Sequence, residues 1–130
     1  MPAPQLRPVA RPDPVPPLIA LLRLATLECR AAPRADLHAC TVLSPEADAA
    51  DFAVALARAL PSVTDRRVVL WRPGAEGLSF DETWILALAA AMRRGDRDSV
   101  RFLTGRRVRL EAVPVLRLLL SGLARNLESF

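Results

Sequence analysis

Residues 79–95 read SFDETWILALAAAMRRG, and this stretch decides the fold class. Ser79 is a natural helix N-cap, and Glu82, three residues on, completes a capping box. Asp81 and Glu82 bring negative charge to the positive start of the helix, while Arg93 and Arg94 sit at its negative end. Trp84, Ile85, Leu88, Ala91 and Met92 give a broad apolar face at the helical period, and Gly95 supplies the stop. One amphipathic helix of this kind needs partners to cover its face, so the rest of the chain is read for them.

Upstream, Leu18, Leu21, Leu22, Ala25 and Cys29 mark a helix from Pro17 or Leu18 to about Arg30, with Arg23 and Arg30 off the stripe. Ser44-Pro45-Glu46 reads as the cap and first turn of a second helix, with Asp48 also in that turn. Phe52, Leu56 and Leu60 form its stripe, and Pro61 is expected to end it. Downstream, Asp96 or Asp98 caps a short helix with Val100, Leu103 and Phe102 inward, stopped at Gly105. A last helix from near Pro114 carries Leu116, Leu120, Leu123 and Leu127. Gly122 in its middle costs about 1 kcal/mol of helix propensity, which implies close approach of another helix. Two segments, 37–43 (LHACTVL) and 66–71 (RRVVLW), have strand character, and a pair of strands is marginal without helices laid against it. The expected fold is therefore mainly α, a compact bundle of about five helices, with room for a small two-stranded ribbon over 37–43 and 66–71.

The chain has 130 residues, enough for one domain. Residues 1–17 hold seven of the twelve prolines and read as a disordered leader, leaving 18–130 as a single helical domain. No run reaches the roughly 18 apolar residues of a membrane span, which points to a cytoplasmic protein away from membranes. All 18 basic residues are arginine. The lack of lysine excludes a Walker A loop and a Schiff-base enzyme. With 22 alanines and 22 leucines, the bias also matches a GC-rich coding sequence, so arginine count alone says little about ligands.

The distribution of arginine says more. Residues 66–130 hold twelve arginines against seven acids, and residues 93–109 alone hold seven against two. Trp71, Arg72, Arg94, Arg97, Arg101, Arg106, Arg107 and Arg109 are the candidate contact residues, because arginine and tryptophan dominate interface anchors. The first reading is a small, non-enzymatic regulatory or adaptor protein that binds another protein through an Arg-rich helical surface. A homodimer through the C-terminal helix, with Leu119 at the contact, belongs to the same reading. The alternative is DNA or RNA binding by a helix-turn-helix-like region over Arg93–Arg109, with Arg97 and Arg101 one turn apart.

A third reading centres on His38, the single histidine, as an enzyme or metal site. With Cys29, Asp36 and Cys40 it makes a C-x8-H-x-C pattern, which is not a familiar zinc knuckle. The carboxylates are accounted for as helix-start charges and caps, and no nucleophile elbow, Gly-rich phosphate loop or zincin helix is present. The expectation is no catalytic residue, no metal and no cofactor.

The segment from Phe52 to Leu127 resembles a group of small uncharacterised proteins of alphaproteobacteria. The likeness rests on Leu78-Ser79-Phe80-Asp81-Glu82, the Arg94-Gly95-Asp96 turn and the Val108-to-Leu127 end. In that group the turn after the strand carries a His or Cys, where this chain has Arg72 and Ala75. The resemblance implies no activity and supplies no functional residue.

Overall fold

A computed structural model describes residues 14–31 and 45–128. Among them are five α-helices: α1 (Pro17–Ala31), α2 (Ala49–Val63), α3 (Phe80–Arg94), α4 (Arg97–Thr104) and α5 (Val113–Arg125), with a 3-10 turn at Leu110–Ala112 leading into α5. The chain is mainly helical and forms a compact bundle. Helix α2 packs between α1 and α5, and α3 packs on α4, α5 and α1. Leu18, Ile19, Leu22, Leu56, Ile85, Leu88, Leu116, Leu120 and Leu123 are fully buried where these helices meet. None of the described helices is long and apolar enough to cross a membrane. Residues 14–16 precede α1, and Val15 packs against the core, so the part of the expected leader that is described belongs to the body.

The capping box at Ser79 forms as expected, with the Ser79 side chain accepting from the Glu82 N–H and Glu82 accepting from the Ser79 N–H. Gly95 closes α3 in the left-handed region at φ 70°. The start of α2 differs from expectation. Asp48, not Ser44, is the N-cap, and Asp48 and Asp51 cap each other's backbone N–H at 3.0 Å. Two carboxylates at the spacing of a capping box outcompete the Ser-Pro pair upstream, and Ser44 itself lies outside the described residues. Pro61 does not end the helix either. It lies in the last turn, where only one ladder bond is forfeited, and the helix runs on to Val63. In α4, Val100 is buried but Phe102 points outward and is 82% exposed.

Gly122 meets α2 as its position implies. A Cβ there would lie 2.1 Å from the Phe52 ring, so the α2–α5 crossing depends on its absence. Arg93 holds the C-terminal end of α5. Its Nη2 donates to the carbonyls of Ala124 (2.9 Å) and Leu127 (3.0 Å), satisfying acceptors that the helix end leaves open. Arg93→Ala is expected to lower stability by about 1 kcal/mol, measured by urea unfolding, because the bonds are charge-assisted but partly exposed.

Among the described residues there is no strand; the expected ribbon is absent over 66–71, and 37–43 lies outside those residues. The reason is in the side chains of α3. The Val69 N–H donates to Asp81 (2.7 Å) and the Trp71 N–H to Glu82 (3.2 Å), while the Val69 carbonyl accepts from the Ser79 hydroxyl (2.6 Å). The extended segment thus satisfies its backbone on the first turn of α3 and needs no second strand.

The same turn carries an interior ion pair. Arg23, read from the sequence as lying off the apolar stripe, is 2% exposed and Glu82 is 0% exposed. Arg23 Nε donates to Glu82 Oε2 (2.7 Å) and Nη2 to Oε1 (2.8 Å). Its remaining donors reach the carbonyls of Ala75 (2.9 Å) and Gly77 (2.8 Å). One bidentate pair therefore joins α1, the 64–79 connection and the start of α3, with its polar groups satisfied.

Candidate functional site

The arginines of residues 93–109 divide by what each one touches. Arg93 is committed to the end of α5. Arg94 is exposed and lies 3.5 Å from Asp96. Asp96 caps α4, and hydrogen bonds from the Ser99 hydroxyl and N–H hold its carboxyl below the ordinary aspartate value. Arg97 and Arg101 are exposed, one turn apart on α4, with Asp98 and Phe102 exposed beside them in sequence. Helices α3 and α4 are joined by the tight turn at Gly95 and Asp96, and α4 has eight residues with Asp96 and Asp98 at its N-terminal end.

After α4 the chain crosses the exit of α2. The Asp65 N–H donates to the Arg107 carbonyl (2.9 Å), the Arg109 N–H donates to the Val63 carbonyl (3.0 Å), and Thr64 and Val108 form an isolated antiparallel bridge. This crossing sets Arg66 and Arg67 beside Arg106 and Arg107. Together with Phe80 and Asp81 they line a cleft of about 570 Å³. Arg66 and Arg67 also line a neighbouring cleft of about 520 Å³ that includes Arg109. Arg109 lies 3.7 Å from Asp65, both well exposed.

Arg107 is the fixed member of the first cleft. Its guanidinium lies 4.4 Å from the centroid of the Trp84 ring and 5.8 Å from that of Phe80, and it is ion-paired with Asp81. Trp84 is buried and held in turn by its own Nε1 bond to the Leu103 carbonyl at 2.8 Å. Contact with the face of a buried, anchored tryptophan favours a guanidinium and restricts its movement. One Arg107 nitrogen, Nη1, is shielded from water and has no hydrogen-bond partner among the described residues. Asp81 is the single carboxylate in the lining, and it is taken up by Arg107 and the Val69 N–H. The guanidiniums of Arg66, Arg67 and Arg106 have no ion-pair or hydrogen-bond partner among the described residues. The lining therefore offers positive charge and N–H donors.

Trp71 and Arg72 are placed elsewhere. They sit in the 64–79 connection, Trp71 40% exposed with its ring 3.5 Å from where a Cβ at Gly77 would stand, and they line neither cleft. Gly77 itself has φ 76°, a conformation that glycine adopts without strain. His38, Cys40 and Asp36 lie outside the described residues. Cys29 is half-buried, its sulfur 4.0 Å from the Val54 carbonyl, and no group of three or more metal-ligating side chains occurs among the described residues. On α5, Leu119 is buried inside the bundle; the exposed large apolar residues are Val115 and Leu118, 47% and 51% exposed, beside exposed Arg117.

Sequence reading missed Arg66, Arg67 and Phe80 as site residues. The two arginines were absorbed into an expected strand, and Phe80 into a capping motif. Their pairing with Arg106 and Arg107 depends on the α2 exit crossing residues 105–109, which no local pattern announces. Compared with protein-family models, curated proteins and solved structures, the chain matches none.

Proposed function

We propose that this chain is a small, non-enzymatic binding protein of the cytoplasm that takes an acidic segment of another protein on its arginine face. The observation that carries the reading is the company the arginines keep. Phe80, Phe102 and Leu110 are 84%, 82% and 86% exposed, and they are interspersed along the chain with Arg97, Arg101, Arg106 and Arg107. Large apolar anchors with arginine are the composition of protein interfaces, and a carboxylate is the natural bidentate partner of a guanidinium. A second copy docking through Val115 and Leu118 would extend the assembly, and sedimentation of the purified chain tests that.

Nucleic-acid binding is the second reading, favoured by Arg97 and Arg101 standing one turn apart after the Gly95 turn. Asp98 at the start of α4 counts against it, since the N-terminal part of a recognition helix is the part that meets base edges. The test is fluorescence anisotropy with a labelled Asp/Glu-rich peptide, a random-sequence duplex and a single strand, each at two salt concentrations. The proposal expects the peptide to bind and to weaken about tenfold or more in Arg97→Ala/Arg101→Ala, two lost charge-assisted contacts. Binding of the nucleic acids alone, steeply salt-dependent, would overturn it in favour of the second reading.

A further inference from the structure

We infer that the cleft lined by Arg66, Arg67, Arg106 and Arg107 is a binding site for a phosphate dianion. This goes beyond the acidic-partner reading and does not rest on it. Four guanidiniums share a lining with one carboxylate, and that carboxylate is already engaged. Three of the four have no partner among the described residues, so their donors are free for a ligand. The fourth, Arg107, is immobilised by Trp84, Phe80 and Asp81 and holds one positive charge fixed at the wall of the cleft. The exposed guanidiniums of Arg66, Arg67 and Arg106 are the donors that a phosphate oxygen can reach there.

Phosphate fits this geometry better than a lone carboxylate does. A phosphate monoester presents three terminal oxygens pointing in different directions and up to two negative charges, so it can meet guanidiniums on several sides, whereas a carboxylate offers two coplanar oxygens and one charge. The cleft is anchored at its base by the backbone bonds joining 63–65 to 107–109, so the arginines are gathered before any ligand arrives. At about 570 Å³ it has room for a phosphate with part of the group that bears it, and the exposed Phe80 ring lies at its edge to cover that group. A phosphorylated side chain of a partner and a small phosphate ester share this chemistry.

The test is calorimetric titration of the purified chain with inorganic phosphate, a phosphoserine peptide, and its serine and glutamate counterparts. Saturable binding of phosphate is expected, weakened about tenfold or more by Arg66→Gln or Arg106→Gln, each the loss of one charged donor. Both residues are exposed, so thermal unfolding of these variants should match the parent, and Arg97→Ala/Arg101→Ala should leave phosphate binding unchanged. The phosphoserine peptide should bind more tightly between about pH 5 and about pH 7.5, because its second proton leaves near pH ~6 while arginine stays charged. Tighter binding of the phosphopeptide than of phosphate would identify a protein source, and the reverse a small-molecule source; either supports the site. No saturable phosphate binding, or equal loss in the Arg97/Arg101 variant, would overturn the inference. If phosphate fails while the acidic peptide of the preceding test still binds, only the inference falls; if phosphate binds and that peptide does not, only the acidic-partner reading falls.

Discussion

Arg23→Met is expected to lower unfolding free energy by about 3–5 kcal/mol at neutral pH, the range for removing one member of a buried ion pair. In thermal unfolding the drop should be on the order of 10 °C or more. The cost is not the loss of a contact alone. Glu82 would remain 0% exposed with its cation gone, and the carbonyls of Ala75 and Gly77 would lose their donor. Methionine occupies a similar volume, so a packing defect contributes little to the expected change.

The pH dependence has a definite sign. Burial pushes the Glu82 carboxyl upward, but hydrogen bonds from Arg23, Ser79 and Trp71, with the charge of Arg23, outweigh it and leave the group below the ordinary glutamate value. The same bond raises Arg23 above its own ordinary value. A carboxyl depressed in the folded state stabilises above its unfolded value of about 4.3 and loses that contribution as pH falls through its folded value. In Arg23→Met the downward influences of Arg23 disappear and burial is no longer offset by a cation. The gap between parent and variant should therefore be widest near neutral pH and should narrow toward about pH 4. Urea unfolding at both pH values measures it, and a gap that does not change with pH would show that the pair is not ionised. Glu82→Gln should cost less in the Arg23→Met background than in the parent, which a double-mutant cycle reads directly.

Gly122→Ala is the second large effect, and its sign is opposite to the helix-propensity expectation. An exposed glycine within a helix gains about 1 kcal/mol on conversion to alanine. Here the new Cβ would stand 2.1 Å from Cε1 and 2.4 Å from Cδ1 of Phe52, whose ring is buried and cannot swing clear. Overpacking of this kind costs about 1–3 kcal/mol, so the variant should be less stable than the parent despite its better propensity. Phe52→Leu removes the clashing ring, and in that background Gly122→Ala should become neutral or stabilising. A stabilising Gly122→Ala in the parent would contradict the α2–α5 crossing described above.

Helices were legible where a cap, a periodic face and a stop agreed. Residues 79–95 carry all three, and α3 forms from Phe80 to Arg94 between Ser79 and Gly95. The weight of Gly122 was legible too, because an interior helical glycine has few reasons to persist except close packing. Arg23 was not legible. A lone arginine beside an apolar stripe looks like the solvated edge of a helix, and its carboxylate lies 59 residues away in a motif already accounted for as a cap. Glu82 serves both roles at once, which a local pattern cannot show. Arg66 to Trp71 failed for a related reason. Its Val-rich composition calls for a strand, but Asp81, Glu82 and Ser79 take the backbone groups of Val69 and Trp71 that a second strand would pair with. The basic cleft depends on two segments about forty residues apart crossing at Thr64 and Val108, so only its individual arginines, not their grouping, could be read from the chain.

The structure divides the described arginines into those that hold the fold and those that face outward. The side chains of Arg23, Arg93 and Arg107 are bonded to protein groups, while the guanidiniums of Arg66, Arg97, Arg101 and Arg106 are exposed with no partner among the described residues. The most direct test is to measure thermal unfolding and anisotropy of the labelled acidic peptide side by side for Arg23→Met and Arg97→Ala/Arg101→Ala. A large stability loss with peptide affinity retained below the transition is expected for the first variant, and unchanged stability with affinity lost for the second. Peptide affinity unchanged in Arg97→Ala/Arg101→Ala would contradict that expectation.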